Sequence, residues 1–206
     1  MALIKTVKGK TPQFGKNIYL SENATVVGEV IMGDDCTVWF NAVVRGDVHY
    51  IHIGNKVNIQ DGAIIHCTYQ KAPTTIGNNV SIGHKAIVHG CTLEDNVVIG
   101  MGAIVMDHAV VEKNSLVAAG SVVLENTRVE SGSIYAGVPA KKVKELSPEN
   151  FEQINNFTNV AQSRADLGDD ARHATKRIKK TEVKMNLKDA HAIISKLFRQ
   201  WVDQKI

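Results

Sequence analysis

An apolar residue returns every six positions through the middle of this 206-residue chain, and this period constrains the fold more than any other feature. The unbroken series downstream is Leu93, Ile99, Val105, Val111, Val117, Val123, Val129 and Tyr135. The same rhythm runs upstream through Ile53, Ile59 and Ile65, and then through Ile76, Ile82 and Val88. A fixed short period of this kind predicts a solenoid in which each hexapeptide forms one short strand and one corner.

Small residues stand four positions after the apolar ones, where a tight corner needs them. They are Val97, Ala103, Ala109, Ser115, Ser121, Thr127, Ser133 and Pro139. The shared slot explains the three serines as corner residues rather than as nucleophiles. Three hexapeptides close one triangular turn, and turns stacked at about 4.8 Å bury a continuous core. Two interruptions are visible, because Val88 to Leu93 is one residue short and Ile65 to Ile76 carries a five-residue insertion with Pro73.

Three histidines fall into the register of these repeats. His66 follows Ile65 and His89 follows Val88, so they occupy the same slot one turn apart, with side chains about 5 Å apart along the axis. His84 stands two residues after Ile82 and belongs to a different face, so one subunit cannot bring all three together. A closed threefold assembly could, which predicts a metal site at each subunit boundary of a homotrimer.

Polar residues upstream extend the pattern. Asp61, two residues after Ile59, is predicted to lie one turn below His84, and Arg45, two after Val43, about one further turn down. Arg45, Asp47 and Asp61 could pair across a subunit boundary and support the metal ligands. A purely structural ion pair is equally compatible with this column.

The motifs Arg45-Gly46-Asp47, Gln60-Asp61, His66, and His84 with His89 resemble, in order and spacing, those of the gamma-class carbonic anhydrases. The resemblance implies a left-handed parallel β-helix, whereas crossover rules alone favour a right-handed one. It also implies that His66 and His89 of one subunit and His84 of the next bind Zn²⁺, with Fe²⁺ or Co²⁺ as alternatives. By the same resemblance, Arg45 and Asp47 form interface ion pairs, Gln60 contacts substrate or the metal-bound water, and Tyr135 lines the site.

Three neutral imidazoles leave a zinc ion with open positions, which is typical of catalytic sites. The implied reaction is reversible hydration of carbon dioxide to bicarbonate by a metal-bound hydroxide. The acidic residues that export the proton in active family members are missing, since Val48 follows Asp47 and residues 67–73 contain no carboxylate. Relatives from phenylacetate and carnitine operons share this departure, and some resemble acyl-thioester hydrolases. Three hypotheses remain: a carbonic anhydrase, which is favoured, a metal-dependent acyl-CoA thioesterase or acyltransferase, and a trimer in which the metal is only structural.

The repeat ends at Gly137-Val138-Pro139-Ala140, which predicts a β-helix domain over residues 1–140 and a helical extension over 141–206. Ser147 resembles a helix cap, and apolar residues then recur at helical spacing from Phe151 to Val160. A second amphipathic stretch is predicted after Asn186, beyond a polar and charged segment.

Composition excludes several other classes. The net charge is only +3 and much of the basic excess lies beyond residue 170, so no nucleic-acid partner is expected. The absence of a long apolar run or a signal-like start predicts no membrane partner and a cytoplasmic location. Cys36, Cys67 and Cys91 show no paired spacing and are predicted to be reduced. Cys67 is next to His66 but should point to the opposite side of the strand, so it is not favoured as a ligand.

Overall fold

The chain forms a parallel β-helix in the computed structural model, which describes residues 1–147, 149, 150 and 152. Twenty strands make up this described part: β1 Leu3–Lys5, β2 Gln13–Phe14, β3 Tyr19–Leu20, β4 Thr25–Met32, β5 Thr37–Val38, β6 Val43–Ile53, β7 Asn58–Ile59, β8 Ile64–His66, β9 Thr74–Ile76, β10 Ser81–Ile82, β11 Ile87–His89, β12 Thr92–Leu93, β13 Val98–Ile99, β14 Ile104–Val105, β15 Val110–Val111, β16 Leu116–Val117, β17 Val122–Val123, β18 Arg128–Val129, β19 Ser133–Ala136 and β20 Lys141–Glu145.

The strands stack into three faces. The first face contains β1, the first halves of β4 and β6, and then β8, β11, β14 and β17. The second face contains β2, the second halves of β4 and β6, and then β9, β12, β15 and β18. The third face contains β3, β5, β7, β10, β13, β16 and β19. Neighbours on each face are parallel, and seven strands a face make about seven turns, which confirms the prediction drawn from the six-residue period.

Aliphatic side chains fill the interior of the prism. Ile59, Ile65, Ile82 and Val88 are each fully buried, as the repeat predicted. Most of the small corner residues are buried with them; Ser121, for example, is 1% exposed, whereas Thr127 is partly buried and Pro139 is exposed. Stacking of the turns therefore buries a row of apolar side chains that a single turn would leave exposed to water.

Asparagines turn the chain at one line of corners. Asn79, Asn96 and Asn114 all have positive φ, a conformation that asparagine tolerates better than most residues. Their side chains also form a ladder, in which Asn79 Nδ2 donates to Asn96 Oδ1 at 2.9 Å and Asn96 Nδ2 donates to Asn114 Oδ1 at 3.0 Å. The corner residues therefore bond to the corners of the next turns.

Two insertions break the regular turns at the corner between the first and second faces. The first is the insertion loop, residues 68–72, which closes on itself through a bridge between Thr68 and Ala72. The second is the β6 bulge, residues 47–50, where the pairing of β4 with β6 jumps from Gly28–Gly46 to Val30–Ile51. The six-residue period reveals the first insertion but not the second, because the bulge lies inside one continuous strand.

The C-terminal extension begins differently from the prediction. Residues 141–145 form β20, which pairs antiparallel with β19, so the first part of the extension is a strand. The backbone amide of Asn150 then donates to Ser147 Oγ at 3.3 Å, and residues 149, 150 and 152 are helical, which agrees with Ser147 as a helix cap. The helices predicted farther along lie outside the described residues. Within the described residues, no helix has the length and apolar character that a bilayer crossing requires.

Candidate metal centre

His66 and His89, the histidine pair, lie side by side at the ends of β8 and β11 on the first face. They are direct strand partners, and their ring centroids are 5.1 Å apart, close to the separation that the register predicted. His66 Nδ1 and His89 Nε2 approach to 3.1 Å. Two ring nitrogens therefore converge on one point at the corner where the chain leaves the first face.

The β6 bulge carries Asp47 to the outer nitrogen of His66. Asp47 Oδ1 lies 3.1 Å from His66 Nε2, and Arg45 Nη1 donates to Asp47 Oδ2 at 2.6 Å. Burial raises the pKa of Asp47, but the hydrogen bonds from Arg45 and His66 outweigh it and hold that pKa below its usual value. Burial lowers the pKa of His66, so this imidazole is kept neutral and retains a lone pair.

Asp107 holds His89 in the same way from the other side. His89 Nδ1 lies 2.6 Å from Asp107 Oδ1, while Thr68 Oγ1 of the insertion loop donates to Asp107 Oδ2 at 2.5 Å. Burial raises the pKa of Asp107, and the hydrogen bonds from Thr68 and His89 lower it further than burial raises it. Asp107 was not among the predicted site residues, although it stands 18 residues after His89, three hexapeptide steps along the chain.

His84 lies at the other edge of the first face, at the corner between β10 and β11. Its Nδ1 is 3.0 Å from Asp61 Oδ2, and both side chains are about half exposed. The pairing of Ile82 with Ile59 puts Asp61 one turn below His84, which confirms that prediction. The length of β11 therefore separates His84 from the histidine pair.

Arg45 does not continue the column of Asp61 and His84, and that prediction was wrong. Val44 pairs with Ile65, so Arg45 shares the slot of His66 on the first face. Below Asp61 the chain instead places Phe40, whose carbonyl oxygen accepts from the amide of Gly62. The error came from counting Arg45 from Val43, when the buried row of this face runs through Val44.

Gln60 and Tyr135 were both predicted to line the site, and the structure places them differently. Gln60 is partly buried beside Asp61, and its backbone amide donates to Ile82 O, so it lies on the His84 side of the first face. Tyr135 is only 7% exposed and packs in the hydrophobic core at the C-terminal end of the β-helix. The prediction that Tyr135 lines the site is therefore wrong, because its ring faces the interior of the prism.

The cysteines lie inside the prism. Cys67 is 1% exposed, and its thiol donates to His49 O at 3.3 Å on the side of the strand away from His66. Burial raises the pKa of Cys67 to about 11. The three thiols are free, which confirms that they are unpaired, and Cys67 does not face the candidate site.

The ring nitrogens of His66 and His89 are chemically suited to bind a zinc-like cation. An ionised carboxylate only accepts hydrogen bonds, so the ring nitrogen that faces it must carry the hydrogen. In a neutral imidazole the other nitrogen is then an acceptor, so the convergent nitrogens of His66 and His89 present two lone pairs at 3.1 Å. Two acceptors cannot bond to each other, whereas a cation binds both. Carboxylates behind ligating histidines are a common feature of metal sites.

The described residues of one chain hold only part of such a site. Among them, no group of three or more His, Cys, Asp or Glu side chains gathers around one point. The chain brings His66 and His89 together and keeps His84 at the opposite edge of the same face. This agrees with the prediction that one subunit alone does not assemble the three histidines.

Comparisons with known proteins agree with the repeat. Residues 90–125 match the family described as bacterial transferase hexapeptide (six repeats), and residues 73–106 match the hexapeptide repeat of succinyl-transferase. The carbonic anhydrase of Geobacillus kaustophilus is 44% identical over 152 residues, which is 74% of this chain and 83% of that protein. Gamma carbonic anhydrase 2, mitochondrial, of Arabidopsis thaliana is 37% identical over 171 residues, which is 79% of this chain and 62% of that protein.

A solved structure extends the comparison to three dimensions. The crystal structure of a hexapeptide transferase family protein from Anaplasma phagocytophilum has a TM-score of 0.76 and 34% sequence identity, and covers 80% of this chain and 97% of that one. Fold and repeat together define a hexapeptide-repeat protein of the left-handed parallel β-helix class. Within that class, the chain belongs to the gamma-class carbonic anhydrase family.

Proposed function

We propose that this protein is a carbonic anhydrase that interconverts carbon dioxide and bicarbonate at a metal held between subunits. The observation that carries the proposal is the pair of ring nitrogens 3.1 Å apart on His66 and His89, each ring backed by a carboxylate. The names of the relatives from Geobacillus kaustophilus and Arabidopsis thaliana support the reaction. The metal is proposed to be Zn²⁺, with Fe²⁺ or Co²⁺ as alternatives that three imidazoles also accept.

The third ligand is proposed to be His84 of a second protomer in a homotrimer. From β6 to β17 the outward row of the first face is aliphatic and comprises Val43, Ile64, Ile87, Ile104 and Val122. Ile64 is 41% exposed in the single chain, and covering such a row against another copy is favourable. His84 lies at one edge of this face and the histidine pair at the other. A closed threefold contact through this face would therefore bring the His84 edge of one protomer to the histidine-pair edge of its neighbour.

The surrounding residues have separate tasks in this proposal. When bound, a zinc ion with three imidazole ligands lowers the pKa of water to about 7 and so supplies a nucleophile near neutral pH. Asp47, Asp61 and Asp107 hold the outer nitrogens of His66, His84 and His89, and so fix which nitrogen each ring presents. Arg45 keeps Asp47 ionised and in place. Gln60 stands beside Asp61 and offers an amide that would hydrogen-bond and orient the substrate.

A thioesterase or acyltransferase acting on acyl-CoA is the second candidate. The observation that favours it is that the β6 bulge contains no carboxylate beyond Asp47, which is already bonded to Arg45 and His66, and that the insertion loop contains none. Fast hydration needs a group that passes the proton to buffer. The Anaplasma phagocytophilum structure, described as a hexapeptide transferase family protein, is consistent with chemistry on another carbonyl.

The test combines metal analysis with stopped-flow hydration of carbon dioxide, on protein purified without oxygen. Wild type should contain one divalent metal per chain and accelerate hydration above the buffer rate. His84→Ala should lose hydration, whereas His52→Ala, a change on the second face, should keep the wild-type rate. Metal-loaded wild type that hydrolyses acyl-CoA and leaves carbon dioxide unhydrated would favour the second candidate. A metal-loaded protein that is inactive in both assays would favour the hypothesis that the metal has only a structural role.

Assembly is tested by light scattering. The expected mass in solution is three times the 22.5 kDa of the chain. A monomer that retains full hydration activity would contradict a site shared between subunits.

A further inference from the structure

We propose that Thr68 and Asp107 are positioning residues for His89, and that through them the insertion loop controls how tightly the site holds its metal. The inference rests on the proposed function only in taking His89 as a metal ligand. Neither residue belongs to the motifs that mark the family resemblance. Both residues lie at the corner between the first and second faces, in contact with each other and next to the histidine pair.

Asp107 uses its two oxygens for two different partners. Oδ1 faces His89 Nδ1 at 2.6 Å, and Oδ2 accepts from Thr68 Oγ1 at 2.5 Å. The carboxylate is mostly buried, with 17% of its side chain exposed. A carboxylate held at only one oxygen can rotate about its last bond, whereas one held at both cannot. Thr68 therefore fixes the plane in which Asp107 meets the imidazole.

The orientation of the imidazole follows from this bond. With Nδ1 donating to Asp107, the ring has its acceptor at Nε2, the atom that faces His66. Rotation of the ring would turn this acceptor away from the shared point. Asp107 thus selects the nitrogen that binds the metal, and Thr68 keeps Asp107 in the position to do so.

The insertion loop is built onto this corner at both ends. Thr68 is its first residue, and Thr74, two residues after its last, donates from Oγ1 to His66 O at 2.5 Å. The amide of Gly90, next to His89, donates to Thr74 Oγ1 at 3.0 Å. The Thr68 amide donates to Ala72 O at 3.0 Å, which closes the loop. The Thr68 hydroxyl of the loop therefore supports His89 through Asp107, and the Thr74 hydroxyl beside the loop bonds to the backbone at His66 and at Gly90.

The test measures zinc affinity of the full-length protein by competition with a chromophoric chelator. Thr68→Val removes the hydroxyl and keeps the shape, so its zinc affinity should fall about 10-fold, and Asp107→Asn should lower it by about 10- to 100-fold. Thr68→Ser keeps the hydroxyl and should bind like wild type. Thr92→Val, a similar threonine on the second face, is the matched control and should be unchanged. The visible spectrum of the Co²⁺-loaded protein should change in Thr68→Val and not in Thr68→Ser, since it reports ligand geometry.

The outcomes separate this inference from the proposed function. Equal zinc affinity in Thr68→Val and wild type would overturn it, as would equal losses in Thr68→Val and Thr68→Ser, which would point to loop packing. Wild-type protein that hydrates carbon dioxide while Thr68→Val binds zinc normally contradicts the inference alone. Wild-type protein that binds zinc and leaves carbon dioxide unhydrated, with Thr68→Val binding more weakly, contradicts the proposed function alone. Should Asp107→Asn fail to fold, the two Thr68 variants still decide the question.

Discussion

Gly90, directly after His89, is the position where a single added methyl group should disturb both the fold and the candidate site. Its φ is +56°, and a Cβ built there would lie 2.3 Å from Asp107 Oδ1 and 2.8 Å from Ala72 Cβ. Gly102 provides a matched control, because its φ is +65° and a Cβ there would meet nothing within 4 Å. Gly102→Ala therefore reports the backbone strain alone, and Gly90→Ala reports the strain together with the clash.

The expected sizes follow from these distances. Alanine in the left-handed conformation costs about 1 kcal/mol, which both variants should show. Non-bonded carbon contacts are comfortable at about 3.5 Å, so in Gly90→Ala the carboxylate of Asp107 must move by about 1 Å. That shift breaks the 2.6 Å bond to His89. Losing a hydrogen bond to a charged group adds about 1.5–3 kcal/mol, so Gly90→Ala should cost about 3 kcal/mol in all.

Urea unfolding of the two variants and of wild type measures the stability difference, and chelator competition measures zinc affinity. Gly90→Ala should be the less stable variant by about 2 kcal/mol and should bind zinc about 10-fold more weakly, with Gly102→Ala binding normally. If the two variants lose equal stability and both bind zinc like wild type, then the contact between Gly90 and Asp107 does not matter and the reasoning fails.

Three other expectations can be checked independently. Burial raises the pKa of Cys91 to about 12, so at pH 8 the thiols of native protein should react with a disulfide reagent only after urea is added, and rapid labelling of native protein would contradict their burial. The pKa of Asp47 is below its ordinary value of 3.8, so its contribution to stability is present at neutral pH and is lost as the pH falls through the folded-state pKa. Asp47→Asn should therefore be less stable than wild type in urea at pH 7, with the gap narrowing as the pH falls below 3.8, and a gap that does not change with pH would exclude the ion pair as its source. Ile64→Asp should reduce the light-scattering mass, whereas Thr75→Asp on the second face should not; a trimer that survives Ile64→Asp would exclude the first face as the interface.

Much of the candidate site could be predicted because strand register in a regular solenoid follows from counting. His66 and His89 became strand partners because each directly follows an apolar residue of the buried row. Asp61 came to lie under His84 because each stands two residues after such a residue. Side-chain alternation likewise put Cys67 inside and His66 outside. These predictions needed only the six-residue period and the geometry of a strand.

Counting failed where turns differ in length. His66 and His89 are 23 residues apart, whereas His89 and Asp107 are 18 apart, and both pairs of side chains meet. The β6 bulge inside a single strand brings Asp47 to His66, and no periodic feature of the sequence marks it. Tyr135 was assigned to the site by resemblance, but it belongs to the inward row of the third face, and its ring packs in the hydrophobic core.

The amino-acid sequence by itself determined the solenoid, its core rows and the slots of the three histidines. These features depend on a local six-residue period, and that period resumes after each insertion. Only the tertiary structure decided that Asp47 contacts His66 and Asp107 contacts His89, and that the insertion loop reaches Asp107. Those contacts join residues of different turns through side chains a few ångströms long. Their positions depend on how each insertion shifts one turn against the next, and the period carries no information about that shift.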